Sequence, residues 1–455
     1  MNNRLQTEEI KKLVWAIALP SMIGQFVNVL YSIIDRIYIG HLAGVGKLAL
    51  AGVGVCGPIV TMISAFASLI GVGGAPLCSI ALGEKDGKKA EKIIGNAFTM
   101  LIFISFIVLV ICYLLAERML LLFGASESTI AYALSYFKIY LLGTPFALLS
   151  AGMNNFINCQ GYSKIGMISV VIGAVINIVF DPIFMFGLNM GVKGAAIATI
   201  IGQLVSCTFV LCILFSKKLD CSLKIQKLDL NICLSILKIG FTQFVIIAFD
   251  NVMIIAMNSI LQKYGGKQLG DVLVGVNTIL QSFMLIVTLP LGGISSGTQC
   301  ILSYNYGACE VDRVKDAYKY ITKVCIGYCL VMFIGVWLFG RYFILLFNND
   351  TTVLNYCLKA MHIYTICLIP LGLQYESVDG MTALGQVKIS LSLSFFRKGI
   401  YFLMLFMLPK FFGVMSTFFA ESISDFVGPI LSFIVVRKNI NNILQWRLWN
   451  RKDII

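Results

Sequence analysis

Seven acidic residues of this sequence lie inside stretches that are otherwise apolar. A carboxylate costs about 2.5–3.5 kcal/mol to insert at the centre of a bilayer, so acids retained there often mark an ion pathway or a proton relay. Two carboxylates that share a dry pocket cannot both be charged at low cost, so one of them can hold a proton. Carboxylate, amide and hydroxyl oxygens together could instead bind Na⁺, and both ions stay candidates. The seven acids are Asp35, Asp181, Asp250, Glu376, Asp379, Glu421 and Asp425.

In the first half of the chain, helix geometry predicts that several polar residues share one depth. Counted at 1.5 Å per residue from the nearest lysine on the basic side, Asp181 and Thr199 are about 26 and 27 Å deep. Asn177 precedes Asp181 by one turn and lies on the same helix face. Asp35 falls in the outer part of the first apolar stretch. We therefore expect these four residues to gather in the outer half of the membrane.

In the second half, the same count predicts a different group of acids. Asp250, Glu376 and Asp425 each lie about 18 Å from the basic side. Asp379 is one turn from Glu376, and Glu421 is one turn from Asp425. For each of these acids, a hydrogen-bonded packing role or contact with water is the alternative to a role in ion binding.

The elements that must position these acids are membrane-spanning helices. Hydrophobic residues make up 58% of the chain and charged residues only 13%, whereas a soluble chain has roughly twice that charge. Apolar runs of about 20 or more residues recur along the chain, which is the length that crosses a bilayer. The runs are continuously apolar and do not alternate, so they predict helices. The predicted spans are about 13–39, 48–80, 96–115, 131–158, 165–187, 194–215, 236–261, 272–302, 320–346, 354–382, 389–411 and 413–436.

The net charge of +13 reflects membrane topology. Most of the Lys and Arg residues fall in alternate connections and at both ends of the chain, which predicts that these segments and both termini lie in the cytosol. We therefore expect no nucleic-acid partner. Among the basic residues within spans, Arg36, Lys138 and Lys359 are expected to extend their charges to an interface.

Several classes of site are not expected from the sequence. No phosphate-binding loop of the GxxxxGK[ST] type occurs, so no nucleotide is expected. Residues 52–57 match GxGxxG, but they lie in one long apolar run and not in a βαβ unit. The only two histidines, His41 and His362, are far apart. We expect no cofactor, no enzyme active site and no metal site other than one for Na⁺.

The chain also repeats itself at an interval of 224 residues. Phe123 pairs with Phe347, and Gly161 pairs with Gly385. Each copy contains six predicted spans, so both copies enter the membrane in the same orientation. This pattern predicts an all-α integral membrane protein with twelve transmembrane helices in two six-helix lobes, 1–222 and 223–455, related by a pseudo-twofold axis along the membrane normal.

The prolines inside predicted spans include Pro20, Pro145, Pro290 and Pro370. Proline removes a backbone hydrogen bond and bends a helix, so each of them predicts either a static kink or a hinge.

Several sequence motifs together resemble those of the multidrug and toxic compound extrusion (MATE) family, over nearly the full length of the chain. In the first span, Pro20 and Asp35 are followed by IYIGHLAG. The other motifs are GVGGAPLCSIALGEKDGKKAEK from Gly71, NIVFDPIFMFG from Asn177, GVKGAAIAT from Gly191, ILSYNYGACEVDRVKDA and ALGQVKISLSL.

This resemblance implies a secondary antiporter that exports organic, mainly cationic compounds in exchange for H⁺ or Na⁺ as its two lobes open alternately. It implies that Pro20 is a hinge candidate. It also implies a first-lobe cation site formed by Asp35, Asn177, Asp181 and Thr199. The acids grouped by depth, of which the resemblance matches Asp250 alone, predict a second, C-lobe site for cation or substrate that includes Asp250, Glu376, Asp379 and Asp425.

The second-lobe assignment departs from the family pattern. Asp250 falls where the sodium-coupled branch has an acid in the seventh span. The acid that this branch has in the tenth span is replaced by Leu373, and Glu376 and Asp379 lie one and two turns further on.

Three other functions were weighed against drug export. A flippase for lipid-linked precursors or polysaccharides, of the same superfamily, would have a strongly basic cavity, whereas these spans carry seven acids. A membrane enzyme would require metal ligands or a nucleophile with its base. A channel is not expected from a lobed duplication. We expect a monomer in the bacterial cytoplasmic membrane.

Overall fold

The computed structural model describes residues 4–42, 44–347 and 350–452, and within these residues the regular structure is entirely helical. A helical turn at Arg4–Thr7 precedes α1. A π-helical turn, Ile183–Gly187, follows α6, and a 3₁₀ turn, Val414–Phe418, precedes α14. The helices are α1 (Ile10–Gly40), α2 (Gly46–Gly83), α3 (Gly87–Leu122), α4 (Ile130–Leu142), α5 (Thr144–Asn158), α6 (Ser163–Pro182), α7 (Val192–Phe215), α8 (Leu230–Gly266), α9 (Leu269–Gly307), α10 (Val311–Leu345), α11 (Thr351–Thr365), α12 (Leu368–Ala383), α13 (Val387–Phe412) and α14 (Phe419–Lys452).

These helices confirm the predicted number of membrane spans. Ten helices of the described residues are long and apolar enough to cross a bilayer, and two bent pairs bring the number to twelve. The pair α4 and α5 bends by 56° and the pair α11 and α12 by 49°. Pro145 and Pro370 lie in the first turns of α5 and α12, so both bends occur where a proline prevents the preceding helix from continuing. Pro20 and Pro290 lie inside α1 and α9, and neither helix is broken there.

The outer helix surfaces have the apolar character that lipid requires. Leu114 and Leu122 on α3 are 78% and 84% exposed, and Phe412 on α13 is 75% exposed. Because helices satisfy their own backbone hydrogen bonds, such apolar surfaces can face hydrocarbon without loss. The chain is therefore a multi-pass membrane protein.

The structure divides into two compact units. Unit 1 comprises Met1–Thr7 and Leu19–Ile247, and unit 2 comprises Glu8–Ala18 and Ala248–Ile455. The chain passes from one unit to the other inside α1 and again inside α8. The predicted lobes 1–222 and 223–455 follow the sequence repeat, and they stay a prediction.

In unit 1, pairs of glycines allow helices to approach closely. A Cβ atom added to Gly71 on α2 would lie 2.7 Å from the carbonyl oxygen of Gly152 on α5. A Cβ atom added to Gly202 on α7 would lie 2.7 Å from the carbonyl oxygen of Gly173 on α6. Real Cβ atoms do not tolerate such distances from backbone, so only glycine permits these two contacts.

The connection between α7 and α8 is tied to unit 1. The amide of Cys221 donates a 2.8 Å hydrogen bond to Oε1 of Gln160, and the amide of Asp229 donates one of 2.7 Å to Oδ1 of Asn96. Burial raises the pKa of the Cys221 thiol to about 12, so this thiol stays protonated at neutral pH.

Unit 2 includes the start of α1. Within this unit, Nε1 of Trp15 donates a 3.1 Å hydrogen bond to the hydroxyl of Tyr320. Arg313 on α10 donates to the carbonyl oxygen of Glu8 at 2.9 Å. Residues 8–18 are therefore integrated into the packing of this unit.

Candidate functional site

The polar residues predicted in the first half meet at the end of α6. Asp181 is the penultimate residue of this helix, followed by Pro182 and then by the π-helical turn. The proline has no backbone N–H, so the regular helix ends here and a wider turn follows. Gly191, with a φ of 54°, then reverses the chain into α7.

Asn177 joins the two helices of this region. Its Nδ2 atom donates to Oδ1 of Asp181 at 3.3 Å and to Oγ1 of Thr199 at 3.2 Å. Asp181 and Asn177 are almost fully buried, and Thr199 is 8% exposed. The close contact of α6 and α7 at Gly173 and Gly202 brings these side chains within hydrogen-bonding distance. The structure thus brings together three of the four residues that the sequence groups in the first half of the chain.

Asp35 on α1 completes this group electrostatically. Its charge acts on that of Asp181, and the hydroxyl of Tyr31, one turn earlier on α1, is within electrostatic reach of both carboxylates. Within the described part of the chain, neither Asp35 nor Asp181 forms an ion pair with a basic side chain. Two acidic groups therefore interact here, and the base within electrostatic reach of Asp35 is its neighbour Arg36.

We call Asp35, Asn177, Asp181 and Thr199 the unit 1 cluster. Several acceptor oxygens of this cluster have no hydrogen-bond partner. Oδ1 of Asp35, Oδ1 of Asn177 and Oδ2 of Asp181 are buried without a hydrogen-bond partner. Buried polar atoms are normally paired. Carboxylate and amide oxygens in this arrangement could accept a proton or bind a small hard cation such as Na⁺.

In unit 2, acids and bases form a network of ion pairs. Nη1 of Arg397 on α13 donates to Oε1 of Glu421 at 3.2 Å and to Oδ1 of Asp425 at 2.6 Å, both on α14. The adjacent Lys398 bonds to Asp250 of α8. A Cβ atom at Gly428 would lie 2.9 Å from Cγ of Arg397, so this glycine makes room for the arginine stem.

The members of this network differ in exposure. The side chain of Asp250 is 50% exposed, whereas that of Lys398 is only 4% exposed. We call these residues the unit 2 network: the acids Asp250, Glu421 and Asp425 and the bases Arg397 and Lys398. When all five side chains are ionised, the network has a net charge of −1. Asp250 is the most accessible acid of the network.

Glu376 and Asp379 of α12 lie apart from the unit 2 network. Both oxygens of Glu376 are buried without a hydrogen-bond partner. Asp379 accepts a 2.5 Å hydrogen bond from the hydroxyl of Ser295 on α9. The structure therefore separates the predicted C-lobe residues into two groups: Asp250 and Asp425 in the network, and Glu376 and Asp379 as a second pair.

Arg397 and Lys398 are not among the residues predicted from the sequence. Both lie well inside the predicted span 389–411, in the run SFFRKGIYF. Two adjacent bases that far from either end of a span require buried partners. This rule alone would have linked them to the neighbouring acids.

Comparison with known proteins gives one family and several relatives. The model of the MatE family matches residues 20–183 and 244–407. The matched segments begin 224 residues apart, which confirms the internal repeat. The chain is similar to the multidrug export protein MepA of Staphylococcus haemolyticus, at 26% identity over 95% of this chain and 94% of that protein. It is 24% identical to MepA of Staphylococcus aureus strain N315, over 93% of each chain.

Solved structures share the fold. A MATE protein in complex with MaL6 superposes with a TM-score of 0.90 at 22% identity, over 97% of this chain and 99% of that one. A multidrug resistance MATE family transporter of the MOP superfamily, in its outward-facing conformation, gives 0.89 at 22% identity, over 97% and 98%. This likeness confirms the predicted all-α membrane fold.

Proposed function

Because this chain belongs to the MatE family, whose members are transporters and not enzymes, we propose that it exports organic, mainly cationic compounds in exchange for H⁺ or Na⁺. Its MepA relatives are named for multidrug export, and this similarity supports a broad range of small-molecule substrates. No cofactor enters the proposal, since the gradient of the coupling ion supplies the free energy.

The unit 1 cluster is the observation that carries the proposal. Asp35 and Asp181 interact through like charges, and neither forms an ion pair among the described residues. A cation that enters such a site removes a repulsion and satisfies unpaired oxygens at the same time. Its binding free energy can therefore favour one conformation of the transporter over another.

The amide and the hydroxyl have separate roles in this proposal. Asn177 orients Asp181 by donating to one of its oxygens, which leaves the other oxygen for the ion. Thr199 accepts from the same amide and thereby fixes its position. Asp35 and Asp181 supply the negative charge, and α1 connects the site to the hinge candidate Pro20.

Transport in everted membrane vesicles tests the proposal. Addition of ethidium should dissipate an imposed ion gradient in vesicles that contain the protein. Asp181→Asn should lower this response at least about tenfold, the factor expected when about 1.4 kcal/mol of coupling is lost. Glu127→Gln, which changes an exposed acid between α3 and α4, is the control and should keep the full response.

Three outcomes would contradict parts of the proposal. An equal response from Asp181→Asn would remove the unit 1 cluster from the coupling role. Loss of the response in Asp250→Asn but not in Asp181→Asn would move coupling to the unit 2 network. A requirement for ATP in purified proteoliposomes would overturn secondary transport altogether. Imposing a proton gradient without Na⁺, and then a Na⁺ gradient at equal pH, identifies the coupling ion.

We assign the unit 2 network to substrate contact. Asp250 is half exposed and carries the excess negative charge, so it can meet an organic ammonium group directly. Lys398 then supplies a built-in cation that the substrate must displace. This arrangement favours compounds that carry a larger positive charge than one lysine, or whose positive charge is better placed to contact Asp250.

Export of lipid-linked precursors is the second candidate, because Arg397 and Lys398 introduce positive charge. Those bases are outnumbered by their partners Asp250, Glu421 and Asp425. A polyanionic lipid headgroup would therefore meet net negative charge in this network. We place the exporter in the bacterial cytoplasmic membrane as a monomer with both termini in the cytosol, in accord with the basic connections on one side.

A further inference from the structure

The segment that leads from α7 into α8 has a fixed backbone. We call its residues 221–229 the strap. The amide of Leu223 donates a 2.7 Å hydrogen bond to the carbonyl oxygen of Leu214 on α7. A Cβ atom at Gly95 on α3 would lie 2.4 Å from the carbonyl oxygen of Lys224, so this glycine lets the strap backbone lie directly on α3. Together with the two amide bonds described above, these contacts fix the path of the strap over unit 1.

The strap nevertheless presents apolar side chains outward. Ile225 is 73% exposed, and Leu228 is exposed as well. Leu230, the first residue of α8, is 76% exposed. Oδ1 of Asp229 accepts a 3.0 Å hydrogen bond from the amide of Asn231, which caps α8 and fixes the direction of its first turn. Because the backbone is held on both sides, these apolar side chains stay outward and require an apolar environment to cover them.

The same apolar surface continues along α8. Leu230, Leu234 and Phe241 follow one another at intervals of four and seven residues, so they lie on one helix face, and all three are exposed. Phe241 lies within the predicted span 236–261, whereas Leu230 precedes this span by six residues, or about 9 Å along the helix. That distance reaches the headgroup layer that borders the hydrocarbon core. The exposed side of the strap therefore continues a lipid-facing surface to the level of the headgroups.

Basic side chains alternate with these apolar ones. Lys224 and Lys227 lie on either side of Ile225 along the chain, and both are exposed. Nζ of Lys224 is 2.8 Å from Oε2 of Glu91, which offsets its charge. Lys227 forms no ion pair with any residue that the structure describes. Basic groups at the edge of a span attract anionic lipids, so the free charge of Lys227 matches a negatively charged membrane surface.

From this geometry we propose that the strap is a membrane-surface contact that binds the headgroups of anionic phospholipids. Lys227 meets a lipid phosphate, and Ile225 and Leu228 enter the adjoining part of the acyl chains. A neutral bilayer would cover the apolar side chains but leave Lys227 without a counter-charge. A second copy of this chain would bring its own basic strap to the same surface, and the like charges would repel. This contact goes beyond the proposed export function and does not depend on it.

Fluorescence quenching by brominated lipids tests the contact. Leu228→Trp is reconstituted into phosphatidylcholine vesicles that contain increasing fractions of either brominated phosphatidylglycerol or brominated phosphatidylcholine. The wild type, with its four tryptophans, supplies the background to subtract. The introduced tryptophan should be quenched by both lipids, and at a lower fraction of the anionic one.

Two further changes in the Leu228→Trp protein identify the charge that selects the lipid. Lys227→Gln should raise the fraction of brominated phosphatidylglycerol needed for half-maximal quenching about fivefold, the effect of one lysine near an anionic surface. Lys263→Gln, which changes an exposed lysine at the other end of α8, is the control and should leave this fraction unaltered. Where Leu228→Trp does not fold, Ile225→Trp reports on the same surface.

The outcomes distinguish the possible occupants of this surface. Absence of quenching by either lipid would overturn the proposal, and a dimer in native mass spectrometry would then assign the surface to a second copy. Equal quenching by the two lipids would overturn selection of anionic headgroups. An ethidium response without quenching leaves the export proposal intact and removes the lipid contact, whereas quenching without an ethidium response does the reverse.

Discussion

At matching positions of the two repeats, unit 1 brings helix backbones together where unit 2 places charged side chains. Gly173 on α6 packs against Gly202 on α7, whereas its counterpart Arg397 bonds to two carboxylates of α14. Gly152 is replaced by Glu376 in the same way. One ancestral packing pattern thus supports two kinds of buried chemistry.

The comparison distinguishes two kinds of acid. Those of the unit 2 network form ion pairs with basic side chains, and those of the unit 1 cluster do not. In unit 1, glycine contacts position Asn177 and Asp181 and bring no cation into the site. In the unit 2 network, Arg397 and Lys398 offset two of the three negative charges. The unit 1 cluster is therefore better suited to an exchangeable ion, and the unit 2 network to a competing organic cation, in accord with the proposed roles.

The largest effect on stability is expected from Arg397→Gln. This change leaves Glu421 and Asp425 buried without a counter-charge, which typically costs about 3–5 kcal/mol. Denaturant unfolding of the purified protein in detergent measures the loss. Arg36→Gln, which changes an exposed base of α1, is the control and should have little effect.

A triple variant sharpens this comparison. When Glu421→Gln and Asp425→Asn are added to Arg397→Gln, no uncompensated charge is left, so most of the stability should return. If Arg397→Gln alone proves neutral, the network is not a buried ion-pair system, and the contrast between the units disappears.

A smaller loss is expected from Gly71→Ala in unit 1. The new Cβ atom would lie 2.7 Å from the carbonyl oxygen of Gly152, and such overpacking typically costs about 1–3 kcal/mol. Gly57→Ala, on the same helix but with open space around it, should be neutral or slightly stabilising. At the matching position of unit 2, Ser295→Ala removes only a hydrogen bond and should cost about 1 kcal/mol. Equal losses from Gly71→Ala and Gly57→Ala would contradict the close backbone contact.

The smallest effect concerns Thr199. Thr199→Val keeps the shape of the side chain but removes the acceptor for Asn177, a loss of about 1 kcal/mol. The coupling-ion concentration for half-maximal transport should then rise about fivefold. Thr208→Val makes the same change on the exposed face of α7 and should leave this concentration unaltered. Equal behaviour of the two variants would show that the hydroxyl does not support the site.

Hydrophobicity and the repeat were sufficient to predict the fold, since each span is encoded by its own composition. The grouping of Asn177, Asp181 and Thr199 was also predictable, because helix rise fixes depth and one turn fixes the face. Depth alone could not show that Glu376 and Asp250 point to different neighbours, because the rotation of each helix depends on tertiary packing. For the same reason the partners of Arg397 could not be assigned from the sequence.

The passage of α1 and α8 between the units has a consequence for biosynthesis. Residues 8–18 are translated long before Tyr320 and Arg313 of unit 2, yet they pack with both of these residues. Unit 1, in turn, is incomplete until residue 247 has been made. Although domains generally fold as units, amino-terminal first, here the opening segment must wait for most of the chain. If the predicted lobes 1–222 and 223–455 were expressed as separate polypeptides, each would lack a segment of its unit that lies in the other polypeptide.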